Sequence, residues 1–122
     1  MAAANKAGEV LPPGARYSGS GFLPVMAAAR DCGYAHVGWS PAGFLGDELP
    51  SEAFSNQKLL AQALAGIRPG DILLAHLGIW SRKDPWAPAN LEPLIVGLKA
   101  KGFCFRTLRQ HPDYRAWIAS HP

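Results

Sequence analysis

The side chains of this sequence best suited to moving protons are its four histidines, and the surroundings of His76 single it out. Arg68-Pro69-Gly70-Asp71 reads as a turn, because Pro presets φ and Gly lets the backbone reverse. Ile72 to Ala75 is then a short apolar run of the kind buried on both faces in parallel sheets. Side chains repeat every two residues along a strand, which puts His76 in register with Ile72 and Leu74. Carboxyl ends of parallel strands are where α/β folds do chemistry, and an imidazole there can give or take a proton near neutral pH. The same position also suits a histidine that only caps the strand and bonds to backbone.

The other candidates are weaker. His36 alternates with Val37 on a short apolar run and reads as a core histidine, His111 as a cap beside Pro112, and His121 as tail. Cys32 and Cys104 have neither a metal-ligand spacing nor the density of a disulfide framework, so two buried free thiols are expected. After His76 comes a loop with Trp80, Arg82, Asp84 and Trp86. Aromatic faces stack on sugar rings and Arg and Asp bond hydroxyls, so this loop suits a carbohydrate surface; it suits equally a Trp-anchored loop packed on itself. Gly19-Ser20-Gly21 lacks the third glycine of a phosphate-binding fingerprint, and Pro24 stands in its place.

The elements that would position these residues alternate along the chain. Residues 1–8 form an Ala-rich lead-in, and 9–122 read as one α/β domain. Short strands are expected at Glu9–Leu11, Ala35–Trp39, Ile72–Ala75 and Phe103–Leu108. Helices are expected at Phe22–Cys32, Asn56–Ala65 and Ala89–Lys101, with a closing helix from His111. Ser55 is the N-cap of the second helix, and Gly33 and Gly102 stop the first and third. Strand–helix alternation with short connections predicts a parallel sheet of about four strands with right-handed crossovers.

Composition narrows the function classes. A net charge of +3 with scattered Lys and Arg gives no nucleic-acid footprint. No run is apolar and long enough for a membrane span, and the amino terminus lacks the apolar core of a signal peptide. A soluble and, by default, cytoplasmic protein is therefore expected.

Four segments in order resemble one family. Leu11-Pro12-Pro13-Gly14-Ala15-Arg16-Tyr17 is similar to the Arg-x-Pro motif of the NodB-homology polysaccharide deacetylases. Ala29-Arg30-Asp31-Cys32-Gly33-Tyr34 with Val37-Gly38-Trp39-Ser40 resembles the helix and Trp strand that follow it. Arg68 to His76 resembles the turn and Leu-x-His strand, and Gly97 to Leu108 the final helix and strand. The resemblance implies the carboxyl-terminal half of an irregular (β/α) barrel that hydrolyses N-acetyl groups on a carbohydrate with a divalent metal, zinc. It implies that His76 is the general acid protonating the leaving amine, that Leu74 and Trp39 line the acyl pocket, and that the amide of Gly14, after Pro13, helps hold the oxyanion. Trp80 and Arg82 would touch substrate.

The departures are specific. The family's metal ligands and catalytic-base Asp belong to an amino-terminal half that this chain does not contain, so no metal ligand is assigned here, and the motif's Arg is Leu11. The Asp expected shortly after Trp39 to tune the acid histidine is replaced by Pro41-Ala42-Gly43-Phe44; Asp47 and Asp84 are nearest, neither at the expected position. The chain alone is therefore expected to be inactive, completed by a missing amino-terminal half or paired as a homodimer. The alternative is a non-catalytic carbohydrate-binding module whose cleft is lined by Trp39, Trp80 and Trp86.

Overall fold

Two helices with apolar residues four apart meet to form the larger core. In the computed structural model, which describes residues 22–79 and 81–122, helix α1 spans Phe22–Asp31, α2 Asn56–Gly66, α3 Leu91–Ala100 and α4 Arg115–Ser120. Leu59 and Ala63 on α2 face Leu94 and Leu98 on α3, and Leu45, Ile67 and Trp86 complete the cluster. Side chains at i and i+4 lie on one helix face, so each helix needs only two such positions to enter this core. Leu64 of α2 packs against the backbone of α3, where a Cβ on Gly97 would come within 2.7 Å of its Cδ2. The Lys101 ammonium donates to the Leu64 carbonyl, satisfying an orphan acceptor at the end of α2.

The helix boundaries follow local chemistry. The Ser55 side chain accepts from Lys58 N at 3.3 Å, capping α2. α1 and α3 end in paired bonds around a glycine: Gly33 N to Arg30 O with Tyr34 N to Ala29 O, and Gly102 N to Lys99 O with Phe103 N to Leu98 O. The expected turn at Arg68–Asp71 forms: Asp71 N donates to Arg68 O at 3.1 Å, and Arg68 N to Asp71 Oδ2 at 2.8 Å.

The chain divides into two compact units, residues 39–105 and residues 1–38 with 106–122. The first holds the α2–α3 core. Described residues of the second include α1, two 3₁₀ turns at Leu108–Gln110 and Pro112–Tyr114, and α4. In that unit Tyr114 is buried, and Trp117 stacks on His121 with ring centroids 4.1 Å apart.

The parallel four-stranded sheet, and with it the half-barrel, is not present among the described residues. Ala35–Trp39, Ile72–Ala75 and most of Phe103–Leu108 are non-helical, but among the described residues the only ladder element is one parallel bridge between Phe44 and Leu74. Pro41 has no N–H to give a ladder, and the 3₁₀ turn at Pro41–Gly43 interrupts the pairing between the Ser40–Ile72 contact and the Phe44–Leu74 bridge. Ile72 N, which would face a neighbouring strand, donates instead to the Ser40 hydroxyl at 2.9 Å. A short apolar run requires an extended, buried segment; it does not require a ladder. The expected first strand, Glu9–Leu11, lies outside the described residues. The thiols also differ from expectation: Cys32 and Cys104 are free but exposed, one in the turn that ends α1, the other in the segment after α3. No described helix is long and apolar enough to cross a membrane.

Candidate functional site

The site is built where two segments of the larger unit touch side by side. Ser40 N donates to Ile72 O at 3.0 Å and Leu74 N to Gly43 O at 3.1 Å. This approach needs glycine at 43, because a Cβ there would lie 1.9 Å from the Ile72 carbonyl oxygen. Beyond the contact, one segment continues to His76. The other turns at Gly46, whose φ of 71° suits glycine, and closes with Leu49 N donating to Gly46 O at 2.9 Å. That turn drives Asp47 inward, where it is 1% exposed.

Asp47 meets His76 twice. The His76 backbone N–H donates to Asp47 Oδ2 at 2.5 Å, and its ring Nδ1 lies 3.0 Å from Oδ1. An ionised carboxylate can only accept, so Nδ1 carries the proton and Nε2 is the nitrogen open to a reacting group. The His76 side chain is 38% exposed. The Asp47 hydrogen bond holds the His76 pKa above its ordinary 6.5; burial works against this, and the charges of Asp47 and Glu48 reinforce it. Two donors on a buried carboxylate also offset the cost of removing it from water. The pair is a proton donor–acceptor with a fixed ring orientation and a fixed tautomer.

The sequence offered Asp47 only as one of two acids near, but not at, the expected position. Its signal is Gly46-Asp47, a glycine able to turn the chain immediately before an acid. The 3₁₀ turn at Pro41–Gly43 lies between Trp39 and this acid. Asp84, the other candidate, serves a different centre. Its Oδ1 accepts from Arg82 Nη2 at 2.9 Å and its Oδ2 from Asn56 N at 3.1 Å.

Other residues proposed from sequence fall as follows. Leu74 lies on the same extended segment as His76, one side-chain repeat before it, and is half-buried. Trp39 is half-buried and precedes Ser40, which bonds to the start of that segment. Pro13, Gly14 and Trp80 lie outside the described residues. Arg82 is not at a surface: it is 5% exposed, and its guanidinium donates to the carbonyls of Leu49, Phe54 and Asp84 and to the side chains of Asn56 and Asp84. So buried and bonded, it holds the loop rather than a substrate surface. Trp86 is 2% exposed and belongs to the core, so it cannot line a cleft; the described part of the loop after His76 is bonded to Leu49, Ser51, Phe54 and Asn56. His36 is half-buried, and burial pushes its pKa down. His111 caps a 3₁₀ turn, its Nδ1 accepting from Asp113 N at 3.2 Å.

Among the described residues no group of three His, Cys, Asp or Glu side chains could hold a metal ion. These residues therefore do not fit the divalent metal that the resemblance implies. Compared with known proteins, the chain matches no family model, no curated protein and no solved structure.

Proposed function

We propose that this chain carries the general-acid side of a hydrolytic site acting on an N-acyl group of a carbohydrate, as in the polysaccharide deacetylases that its motifs resemble. The single observation supporting this is the Asp47–His76 pair. Hydrolysis of an amide stalls unless the leaving nitrogen is protonated, because an amide anion is a poor leaving group. In the proposed step the C–N bond of the tetrahedral adduct breaks and its electron pair goes to nitrogen. The proton on His76 Nε2 transfers to that nitrogen, leaving a neutral imidazole. Asp47 holds the ring through Nδ1–H and favours the protonated form needed at the start. By the resemblance, Leu74 and Trp39 line the acyl pocket and Gly14, after Pro13, helps hold the oxyanion. The catalytic base and metal ligands come from a further segment or a partner chain, a second copy included. The competing reading, a non-catalytic sugar-binding module, is weakened by the burial of Arg82 and Trp86, two of the surfaces it needs.

The test is acetate release from N-acetylated oligosaccharides with zinc supplied, comparing the chain with its His76→Ala variant. Release that the substitution abolishes is the expected outcome once the site is complete. Release that persists unchanged in the variant removes His76 from the mechanism.

A further inference from the structure

We infer that Arg82 is the positioning residue of the Asp47–His76 pair: it clamps the turn that carries Asp47 to the chain that leaves His76. The inference rests on the proposed function only for its catalytic consequence, because the geometry concerns how the pair is held.

Asp47 sits inside the Gly46–Leu49 turn, closed by the bond from Leu49 N to Gly46 O. The carbonyl of the same Leu49 accepts from Arg82 Nη1. One residue therefore closes the Asp47 turn with its N–H and fastens it to Arg82 with its C=O. On the other side, Arg82 N donates to Ile79 O at 3.3 Å, in the stretch that follows His76. The guanidinium then extends the clamp along the chain after Asp47. Nη2 donates to Phe54 O at 3.0 Å, to Asn56 Oδ1 at 3.1 Å and to Asp84 Oδ1 at 2.9 Å, while Nε donates to Asp84 O at 3.1 Å. Ser51 adds to the seam, its hydroxyl accepting from Lys83 N at 3.1 Å and Asp84 N at 3.4 Å.

A buried arginine is expensive unless its donors find acceptors, and here Nε, Nη1 and Nη2 each do, on Asp84 close by and on Leu49, Phe54 and Asn56 far away in sequence. Only a planar fork with several donors can hold Leu49 O, Phe54 O and the Asp84 group together; a lysine offers a single point charge. The two segments so joined are those whose separation sets the distance from Asp47 to the His76 ring. A catalytic pair must be held within a fraction of an ångström, so such a clamp matters to a reaction it never touches.

The sign of one measurement separates this role from simple electrostatics. The charges facing His76 are those of Asp47 and Glu48. In Arg82→Met a cation is lost. If Arg82 acted on His76 only through its charge, the His76 titration midpoint would rise. If it positions Asp47, the bond that lifts the midpoint loosens and the midpoint falls, in the direction expected for Asp47→Asn.

The experiment is an NMR titration of His76, its resonance assigned with His76→Gln, in wild type, Arg82→Met and Asn56→Ala. Asn56→Ala is uncharged, places a good helix former at the start of α2 and removes one anchor of the guanidinium, so it folds even where Arg82→Met does not. The expected result is a fall in midpoint in both variants, smaller in Asn56→Ala. A midpoint that rises in Arg82→Met, or one unchanged in Asn56→Ala, overturns the positioning role. Acetate release that persists unchanged in His76→Ala, with the titration falling as expected, removes the deacetylase reading and leaves the clamp standing.

Discussion

Replacing Gly43 by alanine probes the contact on which the site is built. The new Cβ would sit 1.9 Å from the Ile72 carbonyl oxygen and 2.9 Å from its carbon, both backbone atoms that no rotamer change can move. Ordinary contact begins near 3.4 Å, so the two segments must open by roughly 1.5 Å. The bonds across the contact measure 3.0 Å from Ser40 N to Ile72 O, 3.1 Å from Leu74 N to Gly43 O and 2.9 Å from Ile72 N to the Ser40 hydroxyl. None survives that separation. Each contributes about 0.5–1.5 kcal/mol net, so the loss is about 3 kcal/mol, or a fall in melting temperature of roughly 10–15 °C in a chain of this size. Gly78→Ala is the matched control, since a Cβ there meets nothing within 4 Å; its effect stays within about 0.5 kcal/mol. Urea denaturation followed by circular dichroism measures both. Equal midpoints for the two variants would refute the claim that the contact is this close and that these bonds hold it.

Other outcomes follow from burial and titration. Trp86→Ala empties the centre of the α2–α3 core and costs about 3–5 kcal/mol. Trp86→Phe costs clearly less, because the Nε1–H it discards has no hydrogen-bond partner among the described residues. Denaturation midpoints that rank these two in the opposite order would mean that Trp86 is held by its polar atom and not by packing. The His76 pKa is raised in the folded state, so the stability its protonated form contributes is fully present below 6.5 and lost as pH rises through the raised midpoint. The stability gap between wild type and His76→Gln therefore shrinks across that window; a gap constant with pH, measured by urea midpoints in matched buffers, is the contrary result.

What the sequence reveals depends on how far apart the interacting residues are. Helix faces such as Leu59 with Ala63 and Leu94 with Leu98 are written in residues four apart, and their ends in Ser55, Gly33 and Gly102, so these were legible. So was the Arg68–Asp71 turn that aims the chain toward His76. The sheet was misread because Ile72–Ala75 has a strand's composition, whereas pairing depends on a partner segment broken by Pro41 and its 3₁₀ turn. Arg82 looked like a surface ligand because charge in a Gly- and Trp-containing loop usually faces water. Its acceptors Leu49 O and Phe54 O are 33 and 28 residues away, beyond any local pattern. Asp47 was weighed and set aside for spacing; only the fold shows that its turn returns to His76.

The account stands on Asp47 and His76 acting as one acid–base unit, and the titration of His76 in wild type and Asp47→Asn tests this most directly. Two-dimensional NMR of the ring nitrogens across pH reports both the midpoint and the tautomer. The account predicts a wild-type midpoint above 6.5, a neutral form protonated at Nδ1, and a lower midpoint in the folded Asp47→Asn protein. A wild-type midpoint at 6.5 that the substitution leaves in place, with the neutral proton on Nε2, would contradict it.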